Sequence, residues 1–402
     1  MSLLDPVTAF ALSFALLALM IYRRVSIGIA LVSAAVFMGV LSMDLMSVAN
    51  VVYMTTRDST TVSLVLVTFG IMLLTLLYRE TEALKYLSRS FRSLLKNPKL
   101  VVSVLPAIVG LLPVPGGALM SAPLVEVEAE KLGLQKERKA FVNIWFRHII
   151  FPIYPMSQVL ILAAALTGVP IISLVISQVP IVVAMIFLGY FLVLRNADAA
   201  SGVTQSISFG SSLKDLAVFF SPILVMILAV VVLGTDVSVA ALIGIVLLLL
   251  ITRPSRKLLP RVILNPSVYK IALAAYGAML LRSVTEESGI SEILGQAVTG
   301  SNMSEILLLL TIPAALAFFL GSPTGGIALS VPIISSIVTF NVPSAGLLFT
   351  SAYLGYVAAP THLCLVLTAD YFKCSLSRVY KILAPSIAVI FAVAFLVYYA
   401  LQ

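Results

Sequence analysis

The sequence predicts an all-α, polytopic membrane protein built from two inverted repeats. Three observations lead to this prediction: the composition, a similarity between the two halves, and the distribution of basic residues. Of 402 residues, 61% are hydrophobic and 10% are charged, and the mean hydropathy is +1.13. About a quarter of the residues of a soluble domain are charged. The composition therefore excludes an ordinary soluble domain.

Several apolar runs approach the length that spans a bilayer, namely 6–22, 214–234, 237–252 and 382–401. The first run has no basic segment before it and no cleavage pattern after it, so we expect a retained helix. Cys364 and Cys374 form neither a disulfide pattern nor a metal-binding pattern. The sequence has no Walker motif and no HExxH motif. We therefore expect no ATP-driven activity, no zinc chemistry and no cofactor.

Two pairs of similar segments indicate an internal duplication. FGIMLL at 69–74 matches YGAMLL at 276–281, and GGALMSAP at 116–123 matches GGIALSVP at 325–332. Both pairs are separated by about 207–209 residues, in a chain roughly twice that length. Two collinear matches at one offset predict a repeat architecture.

Each repeat is predicted to contain five transmembrane helices and one re-entrant hairpin. With the hairpin counted as the fourth element, the fifth is a helix broken at prolines, within FPIYP or AAPTH. The hairpin arms, of about 12–16 residues, are too short to span a bilayer singly. The predicted units are a first repeat 1–196 (hairpin about 100–131, broken helix 139–168), a cytoplasmic linker 197–213, and a second repeat 214–402 (hairpin about 305–340, broken helix 344–372). Amphipathic segments 80–98 and 287–302 precede the hairpins and are expected to lie on the membrane.

The positions of lysine and arginine predict the orientation of the two repeats. Five crossings in the first repeat place the second repeat upside down, and basic residues collect in cytoplasmic loops. With both termini outside, all 25 lysines and arginines except Arg57, Arg147 and Arg282 fall on the cytoplasmic side. The basic pI is explained by this orientation, and we expect no nucleic-acid partner. The chain is predicted to lie in the plasma (cytoplasmic) membrane, that is, the cell inner membrane, and to cross it several times.

Inverted repeats with hairpins and broken helices are typical of secondary transporters. Half-helix N-termini at mid-membrane favour anions, and exposed carbonyl groups favour cations. We therefore expect a secondary active transporter of a small anionic solute, a carboxylate or an oxyanion, coupled to Na⁺ or H⁺ by alternating access. Symport and antiport both remain open. The alternative is an integral-membrane enzyme with a polar intramembrane site, although our prediction is that the chain is not an enzyme.

The arrangement of three helices, hairpin, broken helix and final helix resembles the ion-transporter superfamily. That group includes dicarboxylate/sodium symporters, gluconate permeases and arsenite/sodium–proton antiporters. The segments NIWFRHIIFPIYP and AAPTHLCLVLTADYF resemble more narrowly an uncharacterised prokaryotic integral-membrane family within it. The dicarboxylate symporters carry Ser-Asn-Thr at both hairpin tips, whereas the tips here read PVPGG and GSPTGG. The resemblance also implies a homodimer, because relatives in this superfamily are often dimers. The residues themselves leave the oligomeric state open.

The candidate substrate- and ion-binding residues lie at the two hairpin tips and the two helix breaks. They are Pro115, Gly116, Gly117, Ser121, Arg147, His148, Tyr154, Ser157, Ser322, Thr324, Gly325, Gly326, Ser330, Thr361 and His362. No catalytic residue and no metal ligand is expected, apart from a coupling Na⁺ at the tips around Gly117 and Gly326. The plainer interpretation is that the glycines only allow tight turns and that the prolines only bend the helices.

Arg147 and His148 lie inside a predicted span, where ionisable residues are costly and usually functional. Two interpretations of Arg147 stay open: a binding or gating role, or a side chain that extends to the cytoplasmic interface beyond Lys139. His148 and His362 are the only histidines and are candidates for proton coupling. For Asp370, a solvated or ion-paired position at the surface is at least as well supported as a role in ion coupling. The three glutamates at 126, 128 and 130 are predicted to lie on a solvated cytoplasmic helix.

Overall fold

The computed structural model describes residues 3–23, 25–95, 97–112, 117–197, 209–290, 293, 304–335 and 337–402. The described residues form helices and connecting segments, with no strand among them. The first half contains α1 (Pro6–Tyr22), α2 (Ile27–Ser42), α3 (Leu45–Arg57), α4 (Ser59–Glu80), α5 (Ala83–Leu94), α6 (Pro98–Gly110), α7 (Ala118–Lys131), α8 (Lys136–Ile149), α9 (Gln158–Thr167) and α10 (Ile171–Gly189). The second half contains α11 (Phe209–Val231), α12 (Val237–Thr252), α13 (Leu258–Ile263), α14 (Pro266–Glu287), α15 (Glu305–Leu320), α16 (Pro323–Ile334), α17 (Val342–Ala358), α18 (Leu363–Tyr371) and α19 (Leu376–Leu401).

Membrane-spanning length is present in both halves. Within the described ranges, six helical segments are long and apolar enough to cross a bilayer: Ser59–Glu80, Lys136–Thr167, Ile171–Leu194, Gly210–Val231, Val342–Tyr371 and Leu376–Leu401. The second and fifth of these are the predicted broken helices, taken with their breaks. Shorter apolar helices, such as α1, α2 and α12, accompany them. The prediction of an all-α, multi-pass membrane protein is confirmed.

Polar side chains fix where many helices begin. Asp58 accepts the Thr61 N–H at 2.7 Å at the start of α4, and Asn341 and Ser344 form a reciprocal capping box at the start of α17. Asp44 caps α3, and its pKa lies below the ordinary value because the Ser47 hydroxyl and backbone N–H groups donate to the carboxylate. These short polar signals can be read from sequence.

The helices pack into two bundles, and each half of the chain contributes to both. The first bundle contains α1–α5 and α11–α14, and the second contains α6–α10 and α15–α19. The main contacts between the bundles are α14 with α16, α4 with α9, and α5 with α6. The two hairpins and the two broken helices therefore all belong to the second bundle.

The contacts between helices are reciprocal between the two halves. Helix α2 packs on α14 as α12 packs on α4, and α9 packs on α16 as α18 packs on α7. The final helices follow the same rule, since α10 contacts α17 and α19 contacts α8. Two repeats related by a twofold axis produce this pattern. Their opposite orientation in the membrane stays a prediction.

The structure corrects several predicted boundaries. Helix α3, between α2 and α4, was not predicted. Helix α11 begins at Phe209, inside the predicted linker, and α16 (Pro323–Ile334) begins inside the predicted tip GSPTGG. The arms of each hairpin pack on each other, α6 on α7 and α15 on α16, while their re-entrant course stays a prediction. Most of the amphipathic segment 287–302 and of the linker lies outside the described residues.

Glu128 corrects the prediction of a fully solvated glutamate helix. Its side chain is buried and accepts from Arg92 Nε at 3.1 Å and from Lys131 Nζ at 2.8 Å. Arg92 lies on α5 in the first bundle, whereas Glu128 lies on α7 in the second. The pair thus joins the two bundles.

Candidate functional site

The two predicted helix breaks are present, and each leaves backbone groups outside a regular helix. Between α8 and α9 the chain forms a 3-10 turn at Phe151–Ile153, followed by a turn in which Ser157 N–H donates to Tyr154 C=O at 2.8 Å. Between α17 and α18, His362 N–H donates to Ala359 C=O at 3.0 Å. Both breaks lie inside the second bundle.

Asn143 connects the first hairpin to both broken helices. Its Oδ1 accepts from Ser121 Oγ at 2.7 Å, and its Nδ2 donates to Ala118 C=O at 3.0 Å and to Thr368 Oγ1 at 3.1 Å. All three polar side chains are fully buried. Ser121, a predicted site residue, therefore connects α7 to α8, and Asn143 extends the connection to α18.

Arg147 lies one helical turn after Asn143 and is 1% exposed. Its Nη2 reaches Leu112 C=O at 3.5 Å, and its Nη1 has no hydrogen-bond partner within the part of the chain that the structure describes. No described carboxylate forms an ion pair with it. The burial rules out the interpretation that Arg147 extends to the cytoplasmic interface. An unpaired guanidinium away from water is costly, so this group favours an anionic partner.

The two histidines, distant in sequence, are in contact. The rings of His148 and His362 lie at 88° with their centroids 4.8 Å apart, and both are buried. Nδ1 of His148 pairs with Ile144 C=O at 2.7 Å. Neither ring nitrogen of His362 makes a well-formed hydrogen bond with a described residue, although the Val357 backbone interacts with the ring at poorer geometry. The ring of Tyr356 lies 4.1 Å from that of His362.

The tip of the second hairpin meets the second break. Gly321 has a φ of +59°, and a Cβ at this position would contact the Thr361 side chain, with Thr361 Cβ at 3.2 Å. Ser322 Oγ accepts the Gly325 N–H at 3.2 Å and lies 3.0 Å from Thr324 Oγ1. The tip hydroxyls therefore order the turn that contacts Thr361.

Gly326 has a packing role between the hairpin arms. A Cβ at Gly326 would lie 2.6 Å from Ala317 Cβ, on the other arm. Gly325 is tight as well, since its Cβ would lie 2.9 Å from Ile27 Cδ1 of the first bundle. Close packing thus explains both glycines, and Na⁺ binding at this tip stays a prediction.

The remaining predicted site residues are distributed around these contacts. Pro115 and Gly116 lie outside the described residues, while Gly117 precedes α7 as its N-cap. Tyr154 is buried, and Ser330 Oγ bonds Ile327 C=O at 3.3 Å. The Ser157 hydroxyl is buried and has no described partner.

Sequence reasoning missed Ser351, whose buried hydroxyl also has no described partner. Ser351 follows Asn143 by the same offset that separates the prolines of the two breaks, Pro152 and Pro360. The duplication alone therefore contained a signal for it. Thr68 and Gln158 were missed as well, because only the packing of α4 on α9 brings them together.

A seam between the two bundles runs along α4 and is open at both ends. One end is a cavity of about 480 Å³ lined by Ser59, Thr60, Ser63 and Asp236 among others. The other is a cavity of about 550 Å³ lined by the basic residues Arg79, Lys85, Arg89 and Arg92, and by Leu119 and Met120 near the first hairpin tip. At the middle of α4, between these two ends, a third cavity has a volume of about 20 Å³, so the seam is narrow at this level. Thr68, Gln158 and Thr324 line this constriction.

The seam places the second hairpin tip at the first break as well as at the second. Thr324 of that tip shares the constriction with Gln158, which begins α9 directly after the first break. Gln158 Nε2 reaches Thr68 C=O at 3.5 Å. Tip, breaks and bundle interface therefore converge on one region.

Comparison with known families places the chain. The family model described as "Protein of unknown function (DUF401)" matches residues 7–401. The chain belongs to this family. A search of curated proteins finds no match. Membership of the wider ion-transporter superfamily stays a prediction.

A solved transporter shares the fold. The crystal structure of the Alcanivorax borkumensis YdaH transporter, described as revealing an unusual topology, superposes with a TM-score of 0.61 over 95% of this chain and 98% of that chain. The two sequences are 14% identical. At this identity the similarity shows the fold alone, which is that of an all-α, multi-pass membrane protein.

Proposed function

We propose that this protein is a secondary active transporter of a small anionic solute, a carboxylate or an oxyanion. The observation that carries the proposal is Arg147, a buried guanidinium with an unpartnered Nη1 between the end of α6 and the first break. A guanidinium binds carboxylates and oxyanions through two parallel N–H donors. An anionic solute would supply the charge that Arg147 lacks among the described residues.

The basic cavity of the seam, of about 550 Å³, supports the choice of an anionic solute. Four basic side chains line it, with Glu82 as the acidic residue among the lining groups. Arg89 is exposed and has no ion-pair partner among the described residues. Arg79, Lys85 and Arg92 are paired with glutamates, so Arg89 supplies the excess positive charge of this cleft. Such an excess raises the local concentration of anionic solutes.

Alternating access fits the two-bundle arrangement. The seam has cavities at opposite ends of α4 and a closed middle, so a shift of one bundle against the other would widen one end and narrow the other. The hairpins and broken helices belong to the second bundle and would move with it. The proposed location is the cytoplasmic membrane, with both termini outside.

The coupling ion is proposed to be H⁺ or Na⁺. The contacting pair His148 and His362 is the proposed proton site, because two imidazoles 4.8 Å apart do not both hold a charge easily in a buried site. The carbonyl groups of the tips at Gly117 and Gly326 are the proposed sites for Na⁺. A homodimer is proposed on the resemblance alone.

Uptake by proteoliposomes tests the proposal. Carboxylates, sugar acids and oxyanions are first screened for a rise in the melting temperature of the purified protein, with and without Na⁺. The best solute is then offered to proteoliposomes with an imposed Na⁺ or proton gradient. We expect saturable accumulation that one gradient drives and its ionophore abolishes. Chemical turnover of the solute by detergent-purified protein, without gradient-driven uptake, would support the enzyme alternative.

A further inference from the structure

A further cavity lies on the outer face of the second bundle, and Ile150 and Ile153 of the first break line one side of it. Its volume is about 570 Å³, within the range of ligand-binding clefts. Apolar side chains of α6, α8 and α10 form most of the wall, and Phe91 of α5 and Phe220 of α11 close it from the first bundle. Ser103 and Tyr190 are its polar residues. The cavity is therefore an apolar groove at the junction of the two bundles.

The groove opens toward the hydrocarbon of the bilayer. Ile186, Phe187 and Tyr190 line it and are 46%, 59% and 43% exposed, and Leu100 at its other wall is 50% exposed. Helix α10 is one of the six segments with spanning length. In a membrane-spanning helix such exposed apolar side chains contact lipid. A groove between them is accessible to acyl chains.

One end of the groove is positively charged. Lys99 precedes Leu100 at the start of α6, and its Nζ donates to Arg195 C=O at 3.4 Å. Arg195 is exposed, and its guanidinium lies 5.7 Å from the centroid of the Phe191 ring. Neither cation forms an ion pair among the described residues.

The geometry points to a bound anionic phospholipid. We propose that one acyl chain occupies the groove along Ile150 and Phe187, with the phosphate at Lys99 and Arg195. An anionic headgroup would pair with the two cations, and an acyl chain would cover the apolar wall of the groove. Both cations lie on the predicted cytoplasmic side, where anionic lipids attract basic residues.

The lipid would contact both bundles at once. Phe91 and Phe220 lie on the first bundle, and the remaining wall belongs to the second. A change in the relative position of the bundles alters the groove, so lipid occupancy and bundle position are coupled. Arg147 and the described hydroxyls of the tips and breaks are not among its lining residues, so the cavity is distinct from the proposed solute site although both adjoin the first break.

Native mass spectrometry of the purified full-length chain tests the proposal. The protein is mixed with phosphatidylglycerol or phosphatidylcholine of the same chain length, and bound lipids are counted. We expect phosphatidylglycerol to be retained preferentially, and the double variant Lys99→Gln/Arg195→Gln to lose that preference by roughly tenfold or more. The matched control is Arg256→Gln/Lys257→Gln, which removes two exposed cations from another loop on the same predicted side.

A second variant fills the groove and leaves both cations in place. Ala107→Phe adds a ring among the lining residues, and we expect loss of the lipid with oligomeric state and melting behaviour close to those of the parent protein. Equal retention of both lipids, or retention unchanged in the double variant, would overturn the proposal. A stable dimer cross-linked through Phe187→Cys would show instead that a second copy of the chain covers the groove.

Discussion

At the scale of the residue, Arg147 gives the sharpest prediction. If the guanidinium holds the solute, Arg147→Gln weakens solute binding by more than about 1.4 kcal/mol, a tenfold change in affinity. Arg147→Lys restores the charge without the two-pronged donor geometry, so we expect an affinity between those of the glutamine variant and the parent protein. Dissociation constants of the three proteins are measured by the thermal-shift titration.

The matched control for this series is Arg282→Gln. Arg282 is partly exposed and pairs with Glu286 at 2.8 Å, within one helix. Its loss should leave solute affinity within about twofold, because a partly exposed ion pair contributes little. Unchanged affinity in Arg147→Gln would contradict the anion site and favour a neutral or cationic solute.

Gly321 is the second test at this scale. Alanine there takes on the strain of a positive φ, about 1–2 kcal/mol, and also collides with Thr361 at the second break. Gly168 has a φ of +72°, and a Cβ added there would have no atom within 4 Å, so Gly168→Ala carries the strain without the collision. We expect the strain to lower the melting temperature of both variants by a similar amount, and the collision to lower that of Gly321→Ala further. Uptake should fall only in Gly321→Ala. Equal uptake would remove the contact between tip and break from the transport site.

Some residues of the site could be predicted from sequence and others could not. A charge inside an apolar span singled out Arg147, and the two histidines stood out because each flanks a break. From the sequence alone, the Arg147 side chain could extend into the protein or toward the cytoplasmic interface, because a long side chain on α8 can reach either. Only the packing of α6 and α18 around it decides for burial. The contact of His148 with His362 likewise depends on packing between repeats.

At the scale of the element, the ion pair between Arg92 and Glu128 connects α5 to α7 across the seam. Glu128→Gln leaves two cations without their partner, and we expect a loss of about 2 kcal/mol of stability, read as a lower melting temperature. Glu82→Gln is the control, because the pair of Glu82 with Lys85 is largely exposed. Its loss should cost no more than about 0.5 kcal/mol. Equal effects would show that the Glu128 pair does not hold the seam.

Element boundaries followed from sequence where the local signal was strong. The proline-rich breaks and the amphipathic helix α5 agree with the prediction, since proline removes a backbone donor and the apolar positions of α5 recur at helical spacing. Helix α3 was missed because it is short and mixes polar with apolar residues. Helix α16 starts at Pro323, which suits a first helical turn and was assigned to the tip instead.

At the scale of the whole molecule, the repeat explains how the bundles are built. Each half of the chain supplies its first helices to one bundle and its hairpin and broken helix to the other. The sequence predicts the duplication, but it does not predict the division into bundles, because that division rests on contacts between helices far apart in the chain. The constriction at Thr68, Gln158 and Thr324 also arises from contacts between helices far apart in the chain.

The inverted orientation is tested by cysteines at Lys136, before the first broken helix, and at Asn341, before the second. Both positions are exposed. In a background with Cys364 and Cys374 replaced by serine, an impermeant thiol reagent should label the two sites from opposite faces of oriented vesicles. Labelling of both from one face would contradict the inverted repeat.

The most direct measurement addresses the seam itself, with single cysteines at Thr60 in one cavity and Leu119 in the other. We predict that an impermeant reagent modifies Thr60→Cys only from outside and Leu119→Cys only from the cytoplasm, because the constriction between them is closed. Saturating solute should change the two modification rates in opposite directions, as one cavity narrows while the other widens. Modification of both cysteines from the same face, or rates that rise and fall together with solute, would contradict alternating access through this seam.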